Sequence, residues 1–303
     1  MIFMLRFYST RVVVRIVDLD SMTTWSDGTC ETNGVRIHYL RTGGDKPPVV
    51  LLHGLIGNGA SWTLLARALE GEFDVVMPDA RGHGGSSAPD HGYRYDDHAN
   101  DVVGLIRGLE LARPVLLGHS MGGMTAAVVA TRGGGLLRGL VLIDPTFLTP
   151  ERQREVHDSD VADQHRRILG LSRAELVAEI GARHPRRSSE IVELLAEARQ
   201  NTRLPAFAVL APPNPAYRDV VSAIDVPSLL VIGDSPVVTL EMATELRARN
   251  PRIRIDQILD AGHGLPFDQP ERLGEVVAAF LRDLAWRFDA NVAAPRALGD
   301  SER

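Results

Sequence analysis

Cysteine is nearly absent. The single Cys30 among 303 residues excludes an intramolecular disulfide framework, and no Cys/His spacing resembles a zinc site, so a reducing cytoplasm is the expected setting and no metal is expected. Basic charge is also short, because 33 Lys and Arg face 39 Asp and Glu and leave a net charge of −6. That balance argues against a nucleic-acid partner, and the densest basic stretch, Arg183 to Arg187, holds only three arginines. No apolar run is long enough to span a bilayer, so no membrane partner is expected. Internal repeats and low-complexity tracts are missing as well. What remains is an ordinary soluble composition, 44% hydrophobic, enough for one large α/β domain or two small ones.

From Val35 to Asp144 short β-type apolar runs alternate with helix-period segments, the pattern of a mostly parallel central sheet with helices on both faces. Strands are expected at Val35 to Leu40, Val49 to Leu52, Phe73 to Met77, Pro114 to Leu117 and Leu140 to Ile143. The alternation returns with strands at Ser228 to Ile232 and Ile253 to Ile258 and a last helix near Glu271 to Phe288. Between the halves, residues 146–222 carry helix-period apolar positions such as Leu171, Leu176 and Ile180, and read as a helical lid inserted before the last strands. The α/β core is thus assigned to residues 30–145 and 223–288, with a flexible tail over 289–303. Residues 1–29 read as an N-terminal extension; a start codon chosen upstream of the native one is the favoured account of its first 21 residues, and a weak targeting segment the other.

The chemistry concentrates at Val115 to Gly123, an apolar strand that breaks into Gly118-His119-Ser120-Met121-Gly122 and then a small-residue helix. Serine is a poor nucleophile at neutral pH, so a sharp bend that lifts its Oγ toward a base and toward oxyanion donors is the feature such chemistry needs. His263, glycine-flanked and just after the last strand, is placed to be the base. The loop His53-Gly54-Leu55-Ile56 follows a strand, so the backbone N–H of Leu55 and that of Met121, at a helix N-terminus, form a candidate oxyanion pair.

These pieces, with the turn Pro78 to Ser86, resemble a lidded, single-domain α/β-hydrolase-fold serine hydrolase over residues 30 to 285. The resemblance implies a Ser120–His263–acid triad and esterase-like chemistry on a small carbonyl substrate without a cofactor. It also hosts many other reactions. A serine at the nucleophile position argues against dehalogenases and epoxide hydrolases, which use aspartate there. A C–C bond hydrolase of a ring-cleavage diketone is the alternative within enzymes, ranked lower because such members usually carry asparagine where His119 stands. A non-catalytic small-molecule receptor is the alternative outside them.

The acid departs from the family's usual place. Three residues past Gly233 stands Pro236, so the acid is either Asp234 in a shifted loop or Asp144 after the strand preceding the lid, with Asp144 slightly preferred. Substrate contacts are expected from His53, Gly54, Ile56, Trp62, His119, Phe147, Leu265 and Phe267, in a mainly apolar pocket. Monomer and homodimer are both open.

Overall fold

The apolar runs assemble into an eight-stranded sheet in a computed structural model that describes residues 25–133 and 135–293. The strands are β1 (Ser26–Thr32), β2 (Val35–Arg41), β3 (Pro48–Leu52), β4 (Asp74–Pro78), β5 (Val115–His119), β6 (Gly139–Ile143), β7 (Ser228–Ile232) and β8 (Ile253–Gln257). Their spatial order is β1-β2-β4-β3-β5-β6-β7-β8. β2 pairs antiparallel with both β1 and β4, and every later pairing is parallel. Parallel strands are covered on both faces, which is why β5, β6 and β7 are apolar runs buried at every position rather than alternating ones.

Helices α1 (Thr63–Leu69), α2 (Tyr95–Gly108) and α3 (Met121–Ala130) join the first strands. The face bearing α2 and α3 buries residues such as Leu116, Met124 and Leu140, while Leu117, Val141 and Phe280 lie on the other, where the long C-terminal helix and α1 pack. Between β6 and β7 the chain runs through α4 (Pro150–His157), α5 (Val161–Leu169), α6 (Arg173–Arg183), α7 (Ser189–Gln200), a 3-10 turn at Leu204–Leu210 and α8 (Tyr217–Ala223). Leu176, Ile180, Ile191 and Leu195 give α6 and α7 a small core of their own. α8 differs from its expected place in the lid, since Tyr217 and Val221 are buried in the main core. The chain closes with α9 (Leu240–Arg249), α10 (Leu265–Asp268) and α11 (Pro270–Ala293).

Two further boundaries differ from expectation. β1 begins at Ser26, so the supposed extension cannot reach residue 29; its polar sequence hid it, because an edge strand with Gly28 and two acids lacks the apolar alternation that marks a strand. The missed signal was Asn33-Gly34, whose φ values of 48° and 75° form the tight hairpin turn that this dipeptide favours. α11 continues to Ala293, past the start assigned to a flexible tail. Residues 1–24 and 294–303, which hold the rest of the extension and the tail, lie outside the described residues. Among the described residues no helix is long and apolar enough to cross a membrane.

The turn after β4 ties the layers together. Asp79 accepts from the N–H of Gly59 at 2.6 Å, from the N–H of Gly85 at 2.8 Å and from His38 Nδ1 at 2.7 Å. Arg81 reaches instead to α2, where both of its bonds to the Asp101 carboxylate measure 2.6 Å in a buried pair.

Candidate active site

Ser120 stands where β5 becomes α3, with φ of 55° and ψ of −118°. A left-handed serine is strained, and the strain is fixed by close packing on either side. A Cβ on Gly118 would lie 2.2 Å from the Gly122 carbonyl oxygen, and a Cβ on Gly122 would lie 2.2 Å from that of Leu52, so neither position admits a side chain. The bend leaves Oγ facing a histidine: Ser120 Oγ donates to His263 Nε2 at 3.0 Å.

His263 Nδ1 donates in turn to Asp144 Oδ2 at 2.6 Å. Asp144 is fully buried just past β6, and its carboxylate also accepts from the N–H of Val237 at 2.9 Å and of Val238 at 2.8 Å. Those two donors lie in the loop after β7, where the acid more usually stands in the family. Asp234 is exposed and accepts from the N–H of Asp260 at 2.5 Å, turned away from His263. Of the two carboxylates considered, the structure brings Asp144 to the histidine and leaves Asp234 out.

On the other side of Ser120 the Gly54–Leu55 peptide is held by its oxygen, which accepts from the N–H of Gly57 at 2.9 Å and from His53 Nδ1 at 2.8 Å. His53 Nε2 accepts from the N–H of Ala80 at 2.9 Å, and burial pushes the ring down to about 4, so it is neutral with its proton on Nδ1. A trans peptide points its N–H opposite to its C=O, so anchoring the Gly54 oxygen aims the Leu55 N–H the other way. His83 Nε2 in turn meets the Leu55 carbonyl. Met121 opens α3, where the first N–H groups lack intrahelical partners.

Ser120, His263, Leu55 and Met121 all border one cavity of about 540 Å³ under α4, α5 and the 3-10 turn. Its walls are mainly apolar, with Phe147, Leu148, Val209, Leu210, Val237 and Met242 among them. The polar side chains largely bond one another or the backbone. Tyr95 pairs with Thr146 at 2.9 Å, and Gln153 spans the Leu148 carbonyl and the Asn214 N–H at 3.1 and 3.0 Å. Among the described residues Arg152 is the one arginine or lysine lining it; its guanidinium is mostly exposed and donates to Glu155 at 2.6 Å.

A family model described as the alpha/beta hydrolase fold matches residues 47–270. The chain belongs to the α/β hydrolase fold family. Among its relatives is an N-formylmaleamate deformylase of Pseudomonas putida, 32% identical over 248 residues that make up 80% of this chain and 91% of that protein. A 2-(acetamidomethylene)succinate hydrolase of Mesorhizobium japonicum is 28% identical over 257 residues, 80% of this chain and 90% of the relative. A crystal structure of an E-2-(acetamidomethylene)succinate hydrolase superposes with a TM-score of 0.75 at 22% identity, over 85% of this chain and 99% of that one.

In this α/β hydrolase the residues expected to touch substrate divide sharply. Phe147 lines the cavity, stacked on Tyr217 with ring centroids 5.5 Å apart. His53 and Gly54 lie beneath the Leu55 loop, Ile56 is half-buried beside it, and Leu265 is fully buried in the core. Trp62 packs on the sheet with Leu65 and faces, with Phe267, a separate small cleft against α7. His119 is buried and turned toward the His263 loop. Sequence neighbours of the key positions proved poor guides, because alternate residues of a strand or tight loop face opposite ways. The cavity-lining residues that were missed, such as Tyr95, Gln153 and Asn214, come from α2 and the inserted segment, where helical periodicity reports burial but not which cavity a residue borders. Among the described residues no cluster of His, Cys, Asp and Glu is fit to hold a metal.

Proposed function

We propose that the protein is a serine hydrolase that cleaves a small, uncharged ester-like carbonyl substrate through an acyl-enzyme. The observation that carries this reading is the unbroken hydrogen-bonded chain from Asp144 through His263 to Ser120, opening on an apolar cavity. Ser120 attacks the carbonyl carbon while His263 Nε2 takes its proton; the N–H groups of Leu55 and Met121 hold the oxyanion; His263 returns the proton to the leaving group. Water then repeats the sequence to release the acid. Asp144 fixes the tautomer with the proton on Nδ1 and stabilises the imidazolium.

The relatives' names, a deformylase and an acetamido-compound hydrolase, widen the candidate carbonyl from esters to N-acyl groups. Their named substrates are carboxylates, which the lining here does not favour, since its one arginine is mostly exposed and already paired with Glu155. An uncharged acyl group of several carbons suits these walls better.

A fluorophosphonate probe should label the wild type and leave Ser120→Ala unlabelled; equal labelling of both would overturn the mechanism. In a panel of p-nitrophenyl esters the butanoate and hexanoate should be cleaved faster than the singly charged succinate, and a preference for succinate that Arg152→Gln abolishes would overturn the substrate class. Ligand-induced stabilisation without turnover would favour a receptor instead.

A further inference from the structure

His119 takes no part in the steps above, yet it lies between two groups that do. It is the last residue of β5, next to Ser120 in the chain, and its ring centroid is 4.9 Å from that of His263. Its Nε2 stands 2.7 Å from the main-chain carbonyl of His263, a group that can only accept, so Nε2 carries the proton and donates. Burial, with the neighbouring His263, pushes the ring down to about 3. It therefore stays neutral at working pH, and the bond persists while His263 gains and loses its own proton.

The segment after β8 has little regular structure to hold it. Residues 258–264 lack helix and strand, and Gly262 and Gly264 flank His263. Ala261 O accepts from the Asp234 N–H at 2.7 Å, Gly262 O from the Leu265 N–H at 3.1 Å, and Gly264 O from the Phe267 N–H at 2.8 Å. These bonds tie the loop to the β7 turn and to α10. None of the three reaches β5. The His263 carbonyl is bound instead by the residue beside Ser120, and Phe267 meets the His119 ring edge-on at 6.1 Å.

We infer that His119 is a positioning residue, whose Nε2–H bond to the His263 carbonyl locks the base loop to the strand end carrying Ser120 and so sets the approach of base to nucleophile. The inference rests on Ser120 and His263 acting as nucleophile and base. Misplacing a reacting group by about 1 Å can cost about a hundredfold in rate, and a loop freed at this point could move by that much.

Three variants separate the bond from mere packing. His119→Phe keeps a flat ring without a donor, His119→Leu is a smaller apolar replacement should the ring not fold well, and His119→Gln sets an N–H as many bonds from Cβ as Nε2 of histidine. With a p-nitrophenyl ester that the wild type cleaves, Phe and Leu should lower kcat and the rate of fluorophosphonate labelling by about 10- to 100-fold. KM should stay within about twofold, because His119 touches no substrate, and Gln should restore most of kcat. Wild-type kcat in both apolar variants overturns the inference, as does Gln performing no better than Leu. A raised KM at unchanged kcat would instead make His119 a substrate contact. If Ser120→Ala is inactive while the apolar variants turn over normally, only the positioning role falls. If Ser120→Ala turns over like the wild type, the acyl-enzyme reading falls and takes this inference with it.

Discussion

Asp144 occupies a backbone conformation, φ of 36°, that L-residues seldom adopt, and Ser120 another at 55°. Such geometry costs about 1–2 kcal/mol per residue and survives only where surrounding contacts over-determine it. For Asp144 those contacts are three donors on two oxygens, with Oδ2 shared between His263 and Val237. Asparagine tolerates the same backbone, but its NH₂ would face an N–H at either position. Asp144→Asn should therefore fold and yet lose turnover by about 10³- to 10⁴-fold, because the imidazole tautomer is no longer set. Asp234→Asn should stay within about twofold of wild type; comparable losses in steady-state kcat for the two would contradict this assignment. At this scale Ser120 and His263 were legible, since glycine spacing and placement after a strand are local signals. The acid was legible only as a slight preference for Asp144, because Pro236 at the usual place spoke against an acid there while a loop shifted by one residue would still have presented Asp234, and which of the two the loop after β7 does is not a local signal.

Among the elements, the joint between the β4 turn and α2 is held by a buried charge pair. Arg81 and Asp101 are 4% and 6% exposed, and removing one partner leaves the other uncompensated in a low-dielectric setting. Arg81→Ala should destabilise the fold by about 3–5 kcal/mol, read as a fall in the urea midpoint at unchanged slope. A loss under about 1 kcal/mol would mean the pair is as weak as an exposed one. The sequence pattern marked this turn as one of the pieces of the family resemblance, but it could not name Asp101, which lies twenty residues on. The same limit runs through the other elements. The parallel strands from Val49 to Ile232 were legible because burial on both faces writes continuous apolar runs. β1 was missed because an edge strand is free to be polar. The inserted helices were legible as helices, while their contributions to the cavity depend on how they dock, which periodicity does not encode.

Across the whole molecule, buried neutral histidines give stability a definite dependence on pH. His53, His83, His98, His119 and His165 are buried, and desolvation holds each below its ordinary value, His53 at about 4 and His119 at about 3. Below about pH 6.5 the unfolded chain takes up protons that the folded one refuses, so their contribution is complete above that pH and is lost as pH falls toward 4. His38 works the other way: burial opposes its charge, but the hydrogen bond to Asp79 raises it, so its contribution is lost as pH rises. The thermal midpoint should drop steadily from pH 7 to pH 4.5, and a flat profile over that range would show that these rings accept protons in place. The insertion between β6 and β7 carries a different kind of consequence. It leaves the C-terminal end of β6 and returns to the N-terminal end of the neighbouring parallel strand β7, so its anchors are fixed by the sheet, and doubling its length would cost only about 0.6 kcal/mol of closure entropy. Ser120, Asp144 and His263 all lie outside it, whereas much of the cavity wall lies within it. On the proposed mechanism, the groups that would break the bond and the wall that would select the substrate are in effect separate cassettes, and a graft of another lid onto the same two strand ends should change what is recognised while leaving Ser120, Asp144 and His263 in place.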